Sequence, residues 1–340
     1  MSRSIEDLRL KQAAPLNIKV RMTQQRIREW VNHFGEDGVY VSFSGGKDST
    51  VLLRIVREMY PDVPAVFCDT GLEYPEIRDF VKTFDNVVWL RPKMTFRKVI
   101  ETYGYPFISK EVSQRVYECR KAGKQCKTYK DYFTEGEHFK KYGRRYSFLK
   151  WAWLVDDTTF PISNRCCRVM KEGVVDGYGK ETGRVAIIGT MTSESQRRES
   201  KWLRYGCNAF DAKKKTSTPM SFWTEQDVLK YVKDNDIKIA SVYGEIVEDG
   251  EVAGQMTWDD YCGYDTGDKV YKTTGCNRTG CMFCGFGCHL EKEGDGRFER
   301  MKITHPKQYE YIMKPWDKGG LGYKEVIDWL NENGNLNIRY

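Results

Sequence analysis

Three groups of residues in this 340-residue chain have the types and spacing to do chemistry. The first is Ser44-Gly45-Gly46-Lys47-Asp48-Ser49. A glycine pair lets the backbone turn so that successive N–H groups face an anion. Ser44 and Ser49 add hydroxyl donors, Lys47 neutralises charge, and Asp48 is placed to hold Mg²⁺ or orient the loop. The Walker spacing, with four residues between its glycines and then Gly-Lys-Ser/Thr, is absent. The second group is cysteine. Four of the eleven fall between residues 276 and 288, and Cys166-Cys167 are adjacent. Cys281-x-x-Cys284 lets two thiolates grip one metal centre from a tight turn. A second pair, either Cys166 with Cys167 or Cys276 with Cys288, completes four-coordination for zinc or an iron–sulfur cluster. A zinc knuckle that only staples a loop is the plainer alternative, and one of Cys276 and Cys288 could stay free as a sulfur carrier. The other thiols, Cys68, Cys119, Cys126, Cys207 and Cys262, read as ordinary buried or surface residues. The third group is a basic stretch, 109–150, with twelve Lys/Arg against five Asp/Glu. It suits phosphate-rich partners, ATP or nucleic acid, and equally a solvated helix face.

The elements that position these groups follow from periodicity. An amphipathic helix over 20–33 leads into an apolar strand at 39–43, which runs straight into the glycines. Helical spacing then resumes from Ser49 to Tyr60, so the glycines occupy a strand-to-helix turn with the helix N-terminus facing the anion. Strands at 65–68, 87–90 and 185–189 and a helix at 75–84 continue the alternation. This pattern implies an α/β fold, a parallel twisted sheet with helices on both faces. Ligands in such sheets bind outside the strand carboxyl ends. The polar clusters at 44–49, 69–71 and 190–198 all project to that edge. The expected organisation is a nucleotide-binding domain over 17–245, interrupted by a basic helical insertion at 103–165, and a Cys-rich metal-binding region with closing helices over 246–340.

Composition bounds the rest. With 40% hydrophobic and 14% aromatic residues and a net charge of +7, the chain is globular. It has no run of the ~18 apolar residues a membrane span needs, and its first residues lack a secretion signal. The cytoplasm is the expected compartment. There thiols stay reduced, so clustered cysteines point to metal or redox chemistry.

The loop Ser44–Ser49 resembles that of the PP-loop ATP pyrophosphatases, the adenine nucleotide α-hydrolases. Cys68-Asp69-Thr70-Gly71-Leu72-Glu73-Tyr74-Pro75-Glu76 is similar to the second nucleotide segment of the phosphoadenosine phosphosulfate (PAPS) reductase branch. Pro219, Trp223, Asp227-Val228, Tyr231, Ile237 and Tyr243 follow that branch's downstream pattern. Cys166-Cys167 followed by Lys171, together with Gly280-Cys281-Met282-Phe283-Cys284, resembles the cysteines that hold a [4Fe-4S] cluster in adenylylsulfate reductases. The family's Gly-x-Arg-x-x-Glu-Ser segment stands here as Gly189-Thr190-Met191-Thr192-Ser193-Glu194-Ser195. Met191 replaces the arginine, and Arg197 or a residue of the insertion is the expected substitute. Reductases of the branch alter the Lys-Asp of the loop and carry a nucleophilic cysteine near the C-terminus, whereas this chain keeps Lys47-Asp48 and has no cysteine after Cys288.

The resemblance implies ATP and Mg²⁺ at Ser44, Gly45, Gly46, Lys47, Asp48 and Ser49. It also implies nucleotide contacts from Asp69, Thr70, Gly71, Gly189, Glu194 and Ser195. Lys47, Asp48 and Arg198 are the implied catalytic residues, and Cys166, Cys167, Cys281 and Cys284 the cluster ligands. The implied activity is cleavage at the α-phosphate with sulfur transfer to a nucleic acid or small molecule, as in the DNA phosphorothioation members. A sulfonucleotide reductase that forms sulfite is the alternative enzyme, and a nucleotide-dependent regulatory protein the alternative of another class. The partners this implies are a nucleotide substrate, a nucleic-acid acceptor along 109–150, a sulfur-donor protein and a second copy of the chain, with no membrane.

Overall fold

The computed structural model describes residues 3–143, 147–156, 159–249 and 269–340. Cys262 and the arginines at 144 and 145 lie outside them. By packing, the chain forms two compact units: residues 1–69, 73–90 and 175–279, and residues 70–72, 91–174 and 280–340. The 103–165 insertion therefore packs in one unit with the chain from 280 onward. Residues just beyond 245, where the sequence suggested a boundary, stay with the sheet.

The first unit is built on six strands: β1 (Val39–Ser42), β2 (Ala65–Cys68), β3 (Val87–Leu90), β5 (Val185–Ile188), β6 (Asn208–Ala209) and β7 (Thr216–Ser217). Their order is β3-β2-β1-β5-β7-β6. All neighbours are parallel except β6, which pairs antiparallel with β7 at the edge. The expected parallel sheet thus ends in one antiparallel strand. A short connection can make that pairing, whereas a parallel return needs a crossover.

Alternation along the strands splits the core in two. Val39 and Val41 join Ala65, Phe67 and Ile187 on one face, against Ile27, Trp30 and Val31 of the helix Leu16–Phe34 and Val51, Leu52, Ile55 and Val56 of the helix Lys47–Met59. Tyr40, Val66 and Ala186 point the other way, where Val175 and Tyr178 of the helix Gly173–Thr182 cover them. Both faces therefore carry helices, as the period of two requires. A further hairpin joins β8 (Ile246–Glu248) and β9 (Tyr271–Thr273), so Thr273 leads directly into residues 274–279.

The second unit is mostly helical, with helices at Phe96–Tyr103, Lys110–Ala122, Arg297–Thr304, Pro306–Met313 and Tyr323–Gly334 among others. Inside the insertion the two residues of β4 (Phe107–Ile108) pair in parallel with β10 (Gly285–Phe286). A Cβ on Gly285 would lie 2.6 Å from the Phe107 ring, so glycine is what permits this pairing. Tyr323 Oη, fully buried, donates to the Phe283 carbonyl at 2.5 Å and fixes the Cys281–Cys284 turn against the closing helix. Among the described residues no helix is long and apolar enough to cross a membrane.

Candidate functional site: a phosphate loop and a thiol group

The carboxyl end of β1 delivers Ser44 to the turn, and the helix Lys47–Met59 leaves it. Gly45 has φ +71°, and a Cβ there would lie 2.7 Å from Val81 Cγ2 and 2.8 Å from Ile77 Cγ2. Both conformation and space therefore demand glycine. Inside the turn the Ser44 and Ser49 hydroxyls stand 3.0 Å apart, the Gly46 N–H donates to Ser44 Oγ, and Ser49 Oγ donates to the Gly46 carbonyl. The loop is thus cross-braced by the same two hydroxyls that the sequence assigned to phosphate. The Lys47 N–H donates to Tyr243 Oη at 3.1 Å, and that hydroxyl lies 2.6 Å from Thr279 Oγ1.

Charge at the loop is arranged in pairs. Lys47 is only 3% exposed, and its ammonium donates to the Asn277 carbonyl at 2.9 Å and pairs with Glu225 at 3.0 Å. Asp48 Oδ1 is 3.8 Å from that ammonium, is buried, and accepts no hydrogen bond. Burial pushes the Asp48 carboxyl above its ordinary value, and Glu225 adds to this, against the pull of Lys47, Arg278 and Arg198. A buried carboxylate oxygen with no donor is one whose desolvation a cation can offset. In that respect the loop fits Mg²⁺.

The ends of neighbouring strands wall the loop. Gly189 follows β5, and a Cβ there would stand 3.1 Å from the Asp48 carbonyl oxygen and 3.4 Å from Ser49 Cα, so the strand end lies directly on the loop backbone. Glu194 accepts the Met191 N–H at 3.1 Å and pairs with Arg198, and Ser195 Oγ accepts the Arg198 N–H and caps the helix Gln196–Tyr205. Arg278 reaches Glu194 at 3.8 Å. Burial holds the Arg198 guanidinium below its ordinary value, and the charge of Arg278 adds to this. Asp69, at the end of β2, is buried and pairs with Arg78 at 3.0 Å. Thr70 and Gly71 pack with the second unit, where Thr70 Oγ1 accepts the Leu72 N–H.

In the second unit Cys166 and Cys167 open a short helix, with their sulfurs 4.0 Å apart. The Cys166 thiol is raised, first by its hydrogen bond to Cys167 and by burial, then by the charges of Cys167, Cys284 and Cys281. The hydrogen bond from Cys166 draws the Cys167 thiol down to about 6, helped by Lys110. The four thiols therefore share one electrostatic neighbourhood. Lys110, at the start of the helix that follows β4, is the cation in it. Arg297 donates to the Cys284 carbonyl at 2.6 Å while its Nε pairs with Glu291. Among the described residues no three Cys, His, Asp or Glu side chains converge closely enough to hold a single metal ion. A multi-iron cluster, whose thiolates bind different irons, does not need that convergence. Cys276 packs in the sheet unit, its N–H on the Val242 carbonyl, whereas Cys281, Cys284 and Cys288 belong to the other unit. Cys288 is 2% exposed, its thiol donates to the Gly285 carbonyl, and burial pushes it up to about 12.

A family model for the phosphoadenosine phosphosulfate reductase domain matches this chain over residues 38–135 and 110–285. The chain belongs to that family. Its relatives include an uncharacterized protein of Methanocaldococcus jannaschii, 40% identical over 73 residues, which are 20% of this chain and 18% of that protein. A phosphoadenosine 5'-phosphosulfate reductase of Buchnera aphidicola subsp. Acyrthosiphon pisum is 34% identical over 79 residues, 23% of this chain. The chain spans only 18% and 32% of the lengths of these two relatives. A crystal structure of phosphoadenylyl-sulfate (PAPS) reductase from Candida auris, a phosphate complex, aligns with 71% of this chain and 91% of that one, at a TM-score of 0.38 and 13% identity.

Within this PAPS reductase-family chain, Ser44 to Ser49, Gly189, Glu194, Ser195 and Arg198 come together at the carboxyl ends of β1 and β5. The sequence missed Glu225, Asn277, Thr279 and Arg278, and Tyr243 was noticed only as part of a pattern. Met191, in the place of the family arginine, is 2% exposed and belongs to the main core, so that position offers no side chain to an anion. Arg278, 62% exposed and facing Glu194, supplies a cation instead.

Proposed function

We propose that this family member binds ATP in the Ser44–Ser49 loop and cleaves it next to the α-phosphate, in support of sulfur transfer to a nucleic acid or small-molecule acceptor. The observation that carries this reading is the intact Lys47-Asp48 pair at the start of the helix, with a buried Asp48 oxygen that accepts no hydrogen bond and the Gly189 backbone pressed against it. In this reading the β- and γ-phosphates replace Tyr243 Oη on the Lys47 amide and draw the Lys47 ammonium from Glu225. Asp48 would hold Mg²⁺ when it is bound, and Arg198 and Arg278 neutralise charge that develops on the phosphates. Such catalysis is positioning and charge compensation rather than covalent chemistry. An acceptor oxygen attacks the α-phosphorus, the bond to the α–β bridging oxygen breaks, and pyrophosphate leaves. Cys166, Cys167, Cys281 and Cys284 are the proposed ligands of a [4Fe-4S] cluster. When bound, a cluster supplies electron transfer and iron sites for sulfur. Cys166 first and Lys110 second draw the Cys167 thiol down, which favours the thiolate that such ligation needs.

The test is pyrophosphate release from ATP by the Lys47→Ala/Asp48→Ala variant. Release is expected to vanish, and release at the wild-type rate overturns the reading. The name of the Buchnera relative favours sulfite formation from PAPS as a second reading. That reaction needs an attacking thiolate, and Cys288, buried and hydrogen-bonded to Gly285, is poorly suited. Sulfite formation that Cys288→Ser abolishes would establish the reductase instead.

A further inference from the structure

The end of the sheet opposite the phosphate loop carries a cleft of about 490 Å³ lined by a concentrated positive charge. Lys213, Lys214 and Lys215 run consecutively into β7, Arg184 runs into β5, and Lys180 closes the helix Gly173–Thr182. Since β5 and β7 run parallel to β1, these cations lie at the amino ends of the strands, whereas Gly45 and Gly46 follow a carboxyl end. Five cations face a single carboxylate on the cleft wall, Asp176, which pairs with Lys214. The field they make is felt by Lys201, held below its ordinary value first by burial and then by the charge of Lys214.

The cations are held differently. Arg184 Nε donates to the Asp37 carbonyl at 2.9 Å and Nη1 to Tyr178 Oη at 3.2 Å, which fixes the guanidinium at the rim. Lys215 lies 5.5 Å over the Phe34 ring, while Lys180 and Lys213 are exposed. The floor is apolar, formed by Val175, Val185 and Ala186, with the Tyr40 ring buried beneath it edge-on to Tyr178. A lysine-rimmed groove of this kind neutralises a phosphate backbone, and its walls leave room for a single strand's sugar-phosphate chain. A membrane surface would need apolar side chains that project outward, and here they are recessed in the cleft.

We infer that this cleft binds a single-stranded nucleic acid through its phosphates, on Lys180, Arg184 and Lys213 to Lys215. The inference does not rest on the proposed α-phosphate cleavage, because it concerns a different end of the sheet and its test is a binding measurement.

That test is fluorescence anisotropy of a labelled single-stranded oligonucleotide, titrated with the full chain over a range of salt concentrations. The Lys213→Gln/Lys214→Gln/Lys215→Gln variant is expected to bind about tenfold more weakly, with a log–log salt slope shallower by ~2, since each lost contact removes ~0.7. Lys180→Gln/Lys213→Gln, which leaves the Asp176 and Phe34 contacts in place, is expected to lose ~1.4 of that slope. Unchanged affinity and slope in both variants overturn the inference. So does loss of binding only on changing Lys121, Lys124 and Lys127 of the basic insertion. It is equally overturned if the same lysines bind anionic phosphatidylserine vesicles but not the strand, or if inorganic triphosphate displaces the strand completely at equal phosphate concentration.

Discussion

Gly189→Ala isolates the contact on which the nucleotide loop depends. The added Cβ would stand 3.1 Å from the Asp48 carbonyl oxygen, 3.3 Å from its carbon and 3.4 Å from Ser49 Cα. These atoms are backbone of the first helical turn, so no side chain can swing aside. The loop must retreat by a few tenths of an ångström. Gly189 has no positive φ, so the substitution adds crowding without backbone strain. Overpacking of this kind costs about 1 kcal/mol or somewhat more. Catalysis is far more sensitive, because a displacement of 1 Å at a reacting centre can cost ~100-fold and, in the logarithm, a third of that about fivefold. The expected outcome is therefore a small loss of stability in urea unfolding with roughly a fivefold loss in the rate of pyrophosphate release from ATP. Gly177→Ala is the control. Gly177 lies within the helix Gly173–Thr182, and a Cβ there meets no atom within 4 Å, so the change should stabilise by about 0.5–1 kcal/mol and leave turnover alone. Turnover of Gly189→Ala within twofold of wild type would refute the reasoning, as would a loss no larger than the loss of folded protein.

Asp48→Asn should stabilise the unliganded protein while it abolishes pyrophosphate release. The folded-state carboxyl is raised by burial, so the fold opposes its ionisation; the cost is full above the raised value and disappears as pH falls through it to the unfolded value of 3.8. At neutral pH thermal or urea unfolding should show the Asn variant more stable by on the order of 1 kcal/mol, and the difference should close as pH falls toward 4. Arg278→Ala should weaken ATP binding in calorimetry about tenfold, as loss of a charge-assisted phosphate contact does, and Arg278→Lys should recover part of it. Equal affinity in both would leave Met191 without a substitute. After anaerobic purification, Cys281→Ala and Cys284→Ala should lose iron and sulfide, from about four irons per chain, whereas Cys276→Ala keeps them. Iron retained by Cys281→Ala but lost by Cys276→Ala would move the ligands to the local cysteine spacing.

What was legible in the sequence was local. The strand, glycine pair and amphipathic helix from Val39 to Met59 appear within a residue or two of the expected bounds, because period two and period 3.6 need only near neighbours. Gly189 was also found, as the residue that ends an apolar strand. The partners of Lys47 were not, since Tyr243 and Asn277 lie 196 and 230 positions away and no spacing rule links them. Strand β4 escaped notice because Phe107-Ile108 is too short to show alternation. Its pairing with β10 nevertheless ties the insertion to the Cys281–Cys288 segment and sets Lys110 beside Cys167. The residues 274–279, which the sequence offered only as part of a cysteine cluster, supply Asn277, Arg278 and Thr279 to the nucleotide loop.

The charges at that loop cancel, and this constrains how a nucleotide could enter. Lys47, Arg198 and Arg278 are matched by Asp48, Glu194 and Glu225, and each cation already faces a carboxylate. A triphosphate arriving alone would meet no net attraction and would have to displace Glu225 and Glu194 from their partners. Arriving with Mg²⁺ it would carry less negative charge and offer a direct ligand bond to Asp48 Oδ1, which accepts no hydrogen bond. An arginine at position 191 would tip the balance toward bare anions, but Met191 lies in the apolar core, where a guanidinium would be buried without a partner at a cost of several kcal/mol. Placing the third cation on exposed Arg278, in the segment that also supplies the carbonyl holding Lys47, keeps the core apolar and lets one stretch of chain respond when the nucleotide takes both contacts.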